Sequence, residues 1–190
     1  MIAQRFDLFK FTVALLELFP LQVLGRKGFD HALAQQAVLN RRIQLSDLEP
    51  LLAEPLPYLT DLAPFTYGIT SEGALLPLSD EEMIAAARLH GTAPVLHLST
   101  LTENGQFSTE RAETVLTDGA MQEPLLTQIA DTVRVKGFAG VDVDFEYLPG
   151  YLSGAYAAFL ERLRRILRPI GRFLWVALAP KTSADQRGLL

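Results

Sequence analysis

The chain has 190 residues, 49% of them hydrophobic and 21% charged, with a formal charge of −5. That composition suits a folded domain with a sizeable core and excludes a disordered, highly charged polymer. The acidic balance leaves no basic field for phosphates, so nucleic acid is not an expected partner, and the absence of cysteine excludes disulfides and thiolate metal sites.

In chain order, residues 9–24 form an apolar run interrupted by Lys10, Glu17 and Pro20. No small-residue cleavage site follows it, and the charges break any membrane span. It reads as an amphipathic helix with Phe9, Val13 and Leu16 on one stripe, followed by a first strand over 21–25 and a helix over 29–39. Residues 1–50 are an unassigned, helical segment. A strand is predicted over 62–69, then a tight turn at Ser71-Glu72-Gly73. Ser79 and Glu82 have the spacing of a capping box for a helix with Met83, Ile84 and Ala87 on its apolar face, stopped at Gly91. Residues 93–99 read as a buried strand in which His97 is an interior histidine with its polar atoms satisfied. Asn104-Gly105 marks a turn before a short helix over 108–116. Pro124 is expected in the first turn of the next helix, whose core face is Leu125, Leu126, Ile129 and Val133, ending at Gly137. Beyond residue 147, Tyr156, Phe159, Leu160, Leu163 and Ile166 recur at helical spacing until Pro169 and Gly171. Residues 173–179 are a last strand, with Trp175 in core or outer-face packing. Strands alternating with helices predict an α/β fold with a parallel sheet and right-handed crossovers.

The segment skipped above is the informative one. Gly140-Val141-Asp142-Val143-Asp144-Phe145-Glu146-Tyr147 sets three carboxylates at alternate positions of an apolar run. Along a strand, Asp142, Asp144 and Glu146 share one face, and Val141, Val143, Phe145 and Tyr147 take the other. A solvated edge strand would also alternate, but the flanking helices imply a strand covered on both faces, where three acids cost stability. A divalent-cation site would use the same oxygens, yet no Asp/Asn/Gly-rich calcium loop accompanies them and the histidines form no ligand pattern, so no metal and no cofactor are expected.

These residues resemble glycoside hydrolase family 18, the chitinase-like enzymes, whose signature is Asp-x-x-Asp-x-Asp-x-Glu on the fourth strand of a (β/α)8 barrel. Here its positions are Ala139, Asp142, Asp144 and Glu146. Two further segments, residues 62–70 and 177–186, bring the resemblance closer to the branch of spore-cortex N-acetylglucosaminidases. The resemblance implies that residues 51–190 are a partial family 18 catalytic domain, about the first five strands of a TIM barrel. By the same token the chain is expected to be a fragment, inactive alone, and prone to self-associate through its exposed edge.

Mechanistically, the resemblance implies that Glu146 is the general acid, that Asp144 orients the substrate's acetamido group, and that Asp142 shares a proton with Asp144. Family 18 enzymes use the substrate's own N-acetyl oxygen as nucleophile. Glu146 then needs a raised pKa, which burial and negative neighbours favour. Ala139 departs from the signature at its outermost aspartate, so tuning rather than loss is expected. By the resemblance Phe65 and Tyr67 end the strand that lines the sugar site, with ordinary strand packing as the alternative; Tyr147 follows the acid and contacts substrate or packs; and Gln186, with Lys181 and Asp185, follows the fifth strand in a loop that contacts substrate or is solvated. The expected partner is a peptidoglycan or chitin-like glycan, with an envelope, spore or extracellular location. A non-catalytic glycan-binding relative is the alternative.

Overall fold

The computed structural model describes residues 56, 59–63 and 66–178. The helices and strand predicted before residue 50 lie outside these residues, as do Phe65, Lys181, Asp185 and Gln186. The described chain builds a parallel sheet with helices on one face. Its elements are β1 (Asp61–Leu62), β2 (Thr66–Tyr67), α1 (Glu81–Leu89), β3 (Ala93–Ser99), α2 (Thr109–Thr117), α3 (Gly119–Lys136), β4 (Gly140–Asp144), α4 (Ser153–Leu167) and β5 (Phe173–Val176). Both β1 and β2 pair with β3, which pairs with β4, which pairs with β5, every pairing parallel. The α/β parallel architecture read from the sequence is therefore present, and among the described residues the sheet is open.

The strand expected over 62–69 is interrupted. Leu62 pairs with Pro94 and Thr66 with His97, so four steps along this strand match three along β3. The described pairings thus carry one more residue on this side than on β3. A one-residue surplus exchanges the two faces of everything that follows it.

Helix starts depend on which polar group is free to cap. At α1 the N-cap position is Asp80, not Ser79, and its side chain makes no capping bond. That carboxylate accepts from Tyr67 Oη at 2.6 Å and pairs with Lys136 Nζ at the far end of α3, so it is already engaged. Ser108 caps α2 by accepting from the Arg111 N–H at 3.2 Å, and Asp118 caps α3 by accepting from the Ala120 N–H at 2.8 Å. With Asp118 as its cap, α3 begins earlier than expected, and Pro124 falls in its second turn. The left-handed Gly137 (φ 68°) and Gly171 (φ 69°) end α3 and the short 3₁₀ turn after α4.

The helix-facing side of the sheet carries Tyr67, Leu96, Leu98, Val141 and Val143, all buried against Leu126, Ile129, Phe159 and Leu163 of the helices. The opposite side carries Thr66, His97, Ser99, Asp142, Asp144 and Trp175, as the pairings His97 with Asp142, Ser99 with Asp144 and Asp142 with Trp175 require. Close backbone approach occurs where β2 meets the loop after β3. Ile69 N–H donates to Leu101 O at 2.9 Å, and a Cβ on Gly68 would lie 2.2 Å from that oxygen. Gly68→Ala is therefore expected to cost about 1–3 kcal/mol, as overpacking against backbone does. Chemical denaturation reads it, and an unchanged midpoint would contradict the close approach.

Candidate active site

The acidic strand ends sooner than its alternation suggested. β4 stops at Asp144, and Glu146 and Tyr147 form a turn with Tyr147 in the left-handed region (φ 56°). Phe145 explains the break. Its ring, 2% exposed, inserts among the helices, with centroids 5.6 Å from Tyr156 and 5.7 Å from Phe159. Anchoring Phe145 on the helix side lifts the next residue out of the sheet, and Glu146 is exposed. Tyr147 is also exposed, at 72%. The three acids thus divide: Asp142 and Asp144 are buried on the strand, and Glu146 stands over its C-terminal end.

The two aspartates face a partner that sequence reasoning assigned to the interior alone. His97, directly opposite Asp142 on β3, lies with Nδ1 3.1 Å from Asp142 Oδ2 and Nε2 3.7 Å from Asp144 Oδ2. Only the first is a hydrogen bond, and Nε2 has no partner among the described residues, so within them the expected full satisfaction of His97 is half met. A signal existed. Leu96-His97-Leu98-Ser99 alternates as Val141-Asp142-Val143-Asp144 does, and the ladder aligns the two patterns residue for residue. On the same face the Thr66 hydroxyl donates to Ser99 Oγ, which also accepts from the Leu101 N–H at 3.2 Å.

Tyr67 does not reach this face. The extra residue before Thr66 turns Tyr67 toward the helices, where it is 2% exposed and donates to Asp80. Trp175, expected in core or outer packing, stands instead on the acidic face, paired in register with Asp142, 36% exposed and stacked on Phe173 at 4.4 Å. Phe173 packs over Gly140, where a Cβ would lie 2.3 Å from its ring. Ala139 precedes the strand, three residues or roughly 10 Å below Asp142 at the usual strand rise. Phe65 and Gln186 lie outside the described residues.

Burial dominates the electrostatics. It pushes the Asp144 carboxyl up to about 6; His97 opposes the rise, while the negative charges of Glu146 and Asp142 add to it. Burial likewise raises the Tyr156 phenol, with Asp144 and Asp142 contributing. The sign for stability follows from linkage. A carboxyl whose pKa is higher folded than unfolded favours the native state while protonated and loses that contribution as pH rises through the folded value. Between about pH 4 and 6, Asp144 therefore becomes progressively destabilising. Asp144→Asn is expected to gain stability relative to the unmodified protein over that window, read from denaturant midpoints. A difference independent of pH would show that the carboxylate is not held in a dehydrated place.

No family model matches the chain. It is 33% identical over 144 residues to the cortical fragment-lytic enzyme of Bacillus subtilis (strain 168), which covers 75% of this chain and 33% of that protein. The crystal structure of the Bacillus megaterium QM B1551 spore cortex-lytic enzyme SleL superposes with a TM-score of 0.70 at 32% identity, over 78% of this chain and 34% of that one. This chain is similar to spore cortex-lytic enzymes. It spans about one third of their length. A chitinase from Chromobacterium violaceum ATCC 12472 shares the fold, with a TM-score of 0.66 over 72% of this chain and 44% of its own, at 22% identity. These neighbours are chitinase-like barrels, so the parallel sheet described here has its counterpart in barrel strands.

Proposed function

We propose that residues 51–190 are part of a family 18-type catalytic domain that cleaves N-acetylglucosamine-containing glycan, the peptidoglycan of the spore cortex or a chitin-like polymer. Residues 1–50 receive no assignment. One observation carries this reading: an exposed carboxyl, Glu146, mounted at the C-terminal end of a parallel strand directly after a buried aspartate pair. In barrel enzymes that end of the strands is where reacting groups sit. The similarity to cortex-lytic enzymes supports the substrate class, and with it a spore or envelope location.

In this mechanism Glu146 gives its proton to the glycosidic oxygen as the bond from C1 breaks. The carbonyl oxygen of the substrate's acetamido group forms a bond to C1, giving an oxazolinium-type intermediate with retained geometry after hydrolysis. Water then attacks C1, the bond between C1 and the acetamido oxygen breaks and restores the amide, and the Glu146 carboxylate takes the proton from the water. Asp144 accepts from the acetamido N–H and stabilises the positive charge that develops there, where low dielectric makes the interaction strong. Asp142 holds the arrangement from below. Tyr147, exposed beside Glu146, is a proposed contact for a sugar ring. Phe65 and Gln186 complete the set of proposed substrate contacts, and self-association through the open sheet edge is part of the same proposal.

The test is reducing-end release from cortex fragments and from chitooligosaccharides by the natural polypeptide containing these residues. Release that requires Glu146 supports the reading. Sugar binding without release would make the protein a glycan-binding relative instead, and neither binding nor release would remove the glycan assignment.

A further inference from the structure

One buried imidazole faces two carboxylates. His97 is 3% exposed, Asp142 3% and Asp144 8%, so water does little to screen the three groups from one another. On the Nδ1 side, 3.1 Å from Asp142 Oδ2, one hydrogen bond joins the two groups, and the tautomer in which Nδ1–H donates to Asp142 leaves a lone pair on Nε2. The ring's other nitrogen then decides the state of Asp144. Nε2 lies 3.7 Å from Asp144 Oδ2 and is a buried polar atom with no hydrogen-bond partner among the described residues. An Nε2 lone pair opposed to a carboxylate repels it, and an unpaired polar atom in a dry place costs free energy. A single proton on either group removes the repulsion, and an approach of less than about 1 Å from the present 3.7 Å would let an Asp144 hydroxyl donate to Nε2 or an Nε2–H donate to an Asp144 carboxylate.

We infer that Asp142, His97 and Asp144 form a relay in which Asp142 fixes the ring through Nδ1 and one mobile proton is held between Nε2 and Asp144. His97 is a positioning residue, acting on substrate through Asp144. The step is balanced within the protein: the proton leaves the Asp144 oxygen for Nε2, Asp144 becomes a carboxylate able to accept the acetamido N–H, and the imidazolium formed is neutralised by Asp142. When product leaves, the proton returns. This use of the relay rests on the glycosidase role proposed above, whereas the proton's location does not.

Among the described residues the charged and titratable surroundings are few. β4 supplies Asp142 and Asp144, the following turn supplies Glu146, and α4 supplies Tyr156, whose phenol feels both aspartates. The neighbouring strands present Thr66 and Trp175, which do not titrate here. The rise of Asp144 to about 6, opposed by His97, accords with a proton kept near that carboxyl.

Nitrogen-15 shifts of His97 and carbon-13 shifts of the Asp144 carboxyl, followed from pH 4 to 8 in the natural polypeptide without substrate, test the relay directly. A protonated Nδ1 throughout and an Asp144 midpoint near 6 are expected. In His97→Gln, loss of the opposing partner should raise that midpoint by roughly one pH unit. The pH limb of kcat that reports Asp144 should move with it, and simple packing by the ring would leave both in place. An unprotonated Nδ1 in the unsubstituted protein overturns the inference whether or not the variant folds, and so does an unmoved midpoint in a folded His97→Gln. If the tautomer and midpoint are as stated but no glycan is hydrolysed, the glycosidase reading fails and the relay stands.

Discussion

Glu146→Gln is expected to lower kcat on chitooligosaccharides and cortex fragments by roughly 10² to 10⁴, the range that a positioned general acid contributes. The glutamine keeps the shape of the side chain and its place on an exposed turn, so binding and folding should change little. KM should therefore stay within a few-fold while kcat falls, the pattern of an interaction made only in the transition state. A substrate with a better leaving group needs less proton donation, and an activated aryl glycoside should recover part of the loss. Undiminished turnover on the natural glycan would remove Glu146 from the acid role.

Asp144→Asn is expected to cost 10²-fold or more on N-acetylated sugar, about the effect of deleting one preorganised charge-stabilising group. Here the comparison between substrates matters more than the size of the loss. An asparagine cannot supply the negative charge that balances a developing oxazolinium, whereas a de-acetylated sugar forms no such ion. The variant should therefore lose discrimination between the two, its rate on N-acetylated glycan falling toward its rate on de-acetylated glycan. Equal proportional losses on both would show that Asp144 shapes the site without touching the acetamido group. Burial of Asp144 makes the asparagine amide a neutral replacement in a dry place, so lost folding is not the expected cause of either result.

Much of the architecture was legible because it depends on local rules. The apolar spacing of Tyr156, Phe159 and Leu163 marked α4, the short apolar run over Ala93–Ser99 marked β3 as a buried strand, and Gly137 and Gly171 sit at left-handed stops. What escaped depends on pairing between distant strands. By the family resemblance Tyr67 was a candidate for the sugar side, with ordinary strand packing as the alternative, and the register against β3 puts it on the helix side. Ser79 lost the capping position to Asp80 because Asp80 is held by Tyr67 and Lys136, partners 13 and 56 residues away. His97 and Trp175 lie on the acidic face because β3 and β5 align them with Asp142, and no single strand shows that register by itself. The pair Asp142 and Asp144 was readable from alternation. The exposure of Glu146 was not, since it depends on where Phe145 finds its pocket.

That pocket has a consequence for how variation in this protein is interpreted. Glu146 adjoins the one buried ring in its turn, and the ring is seated on Tyr156 and Phe159 of α4. If Glu146 is the acid proposed above, α4 is the mount on which it is aimed. Phe159→Leu would alter no proposed sugar contact, yet it is expected to let Phe145 sink and to move Glu146 with it. On that reading, substitutions on the helix side would be read out as altered cleavage preference, and a search for such variants could begin there.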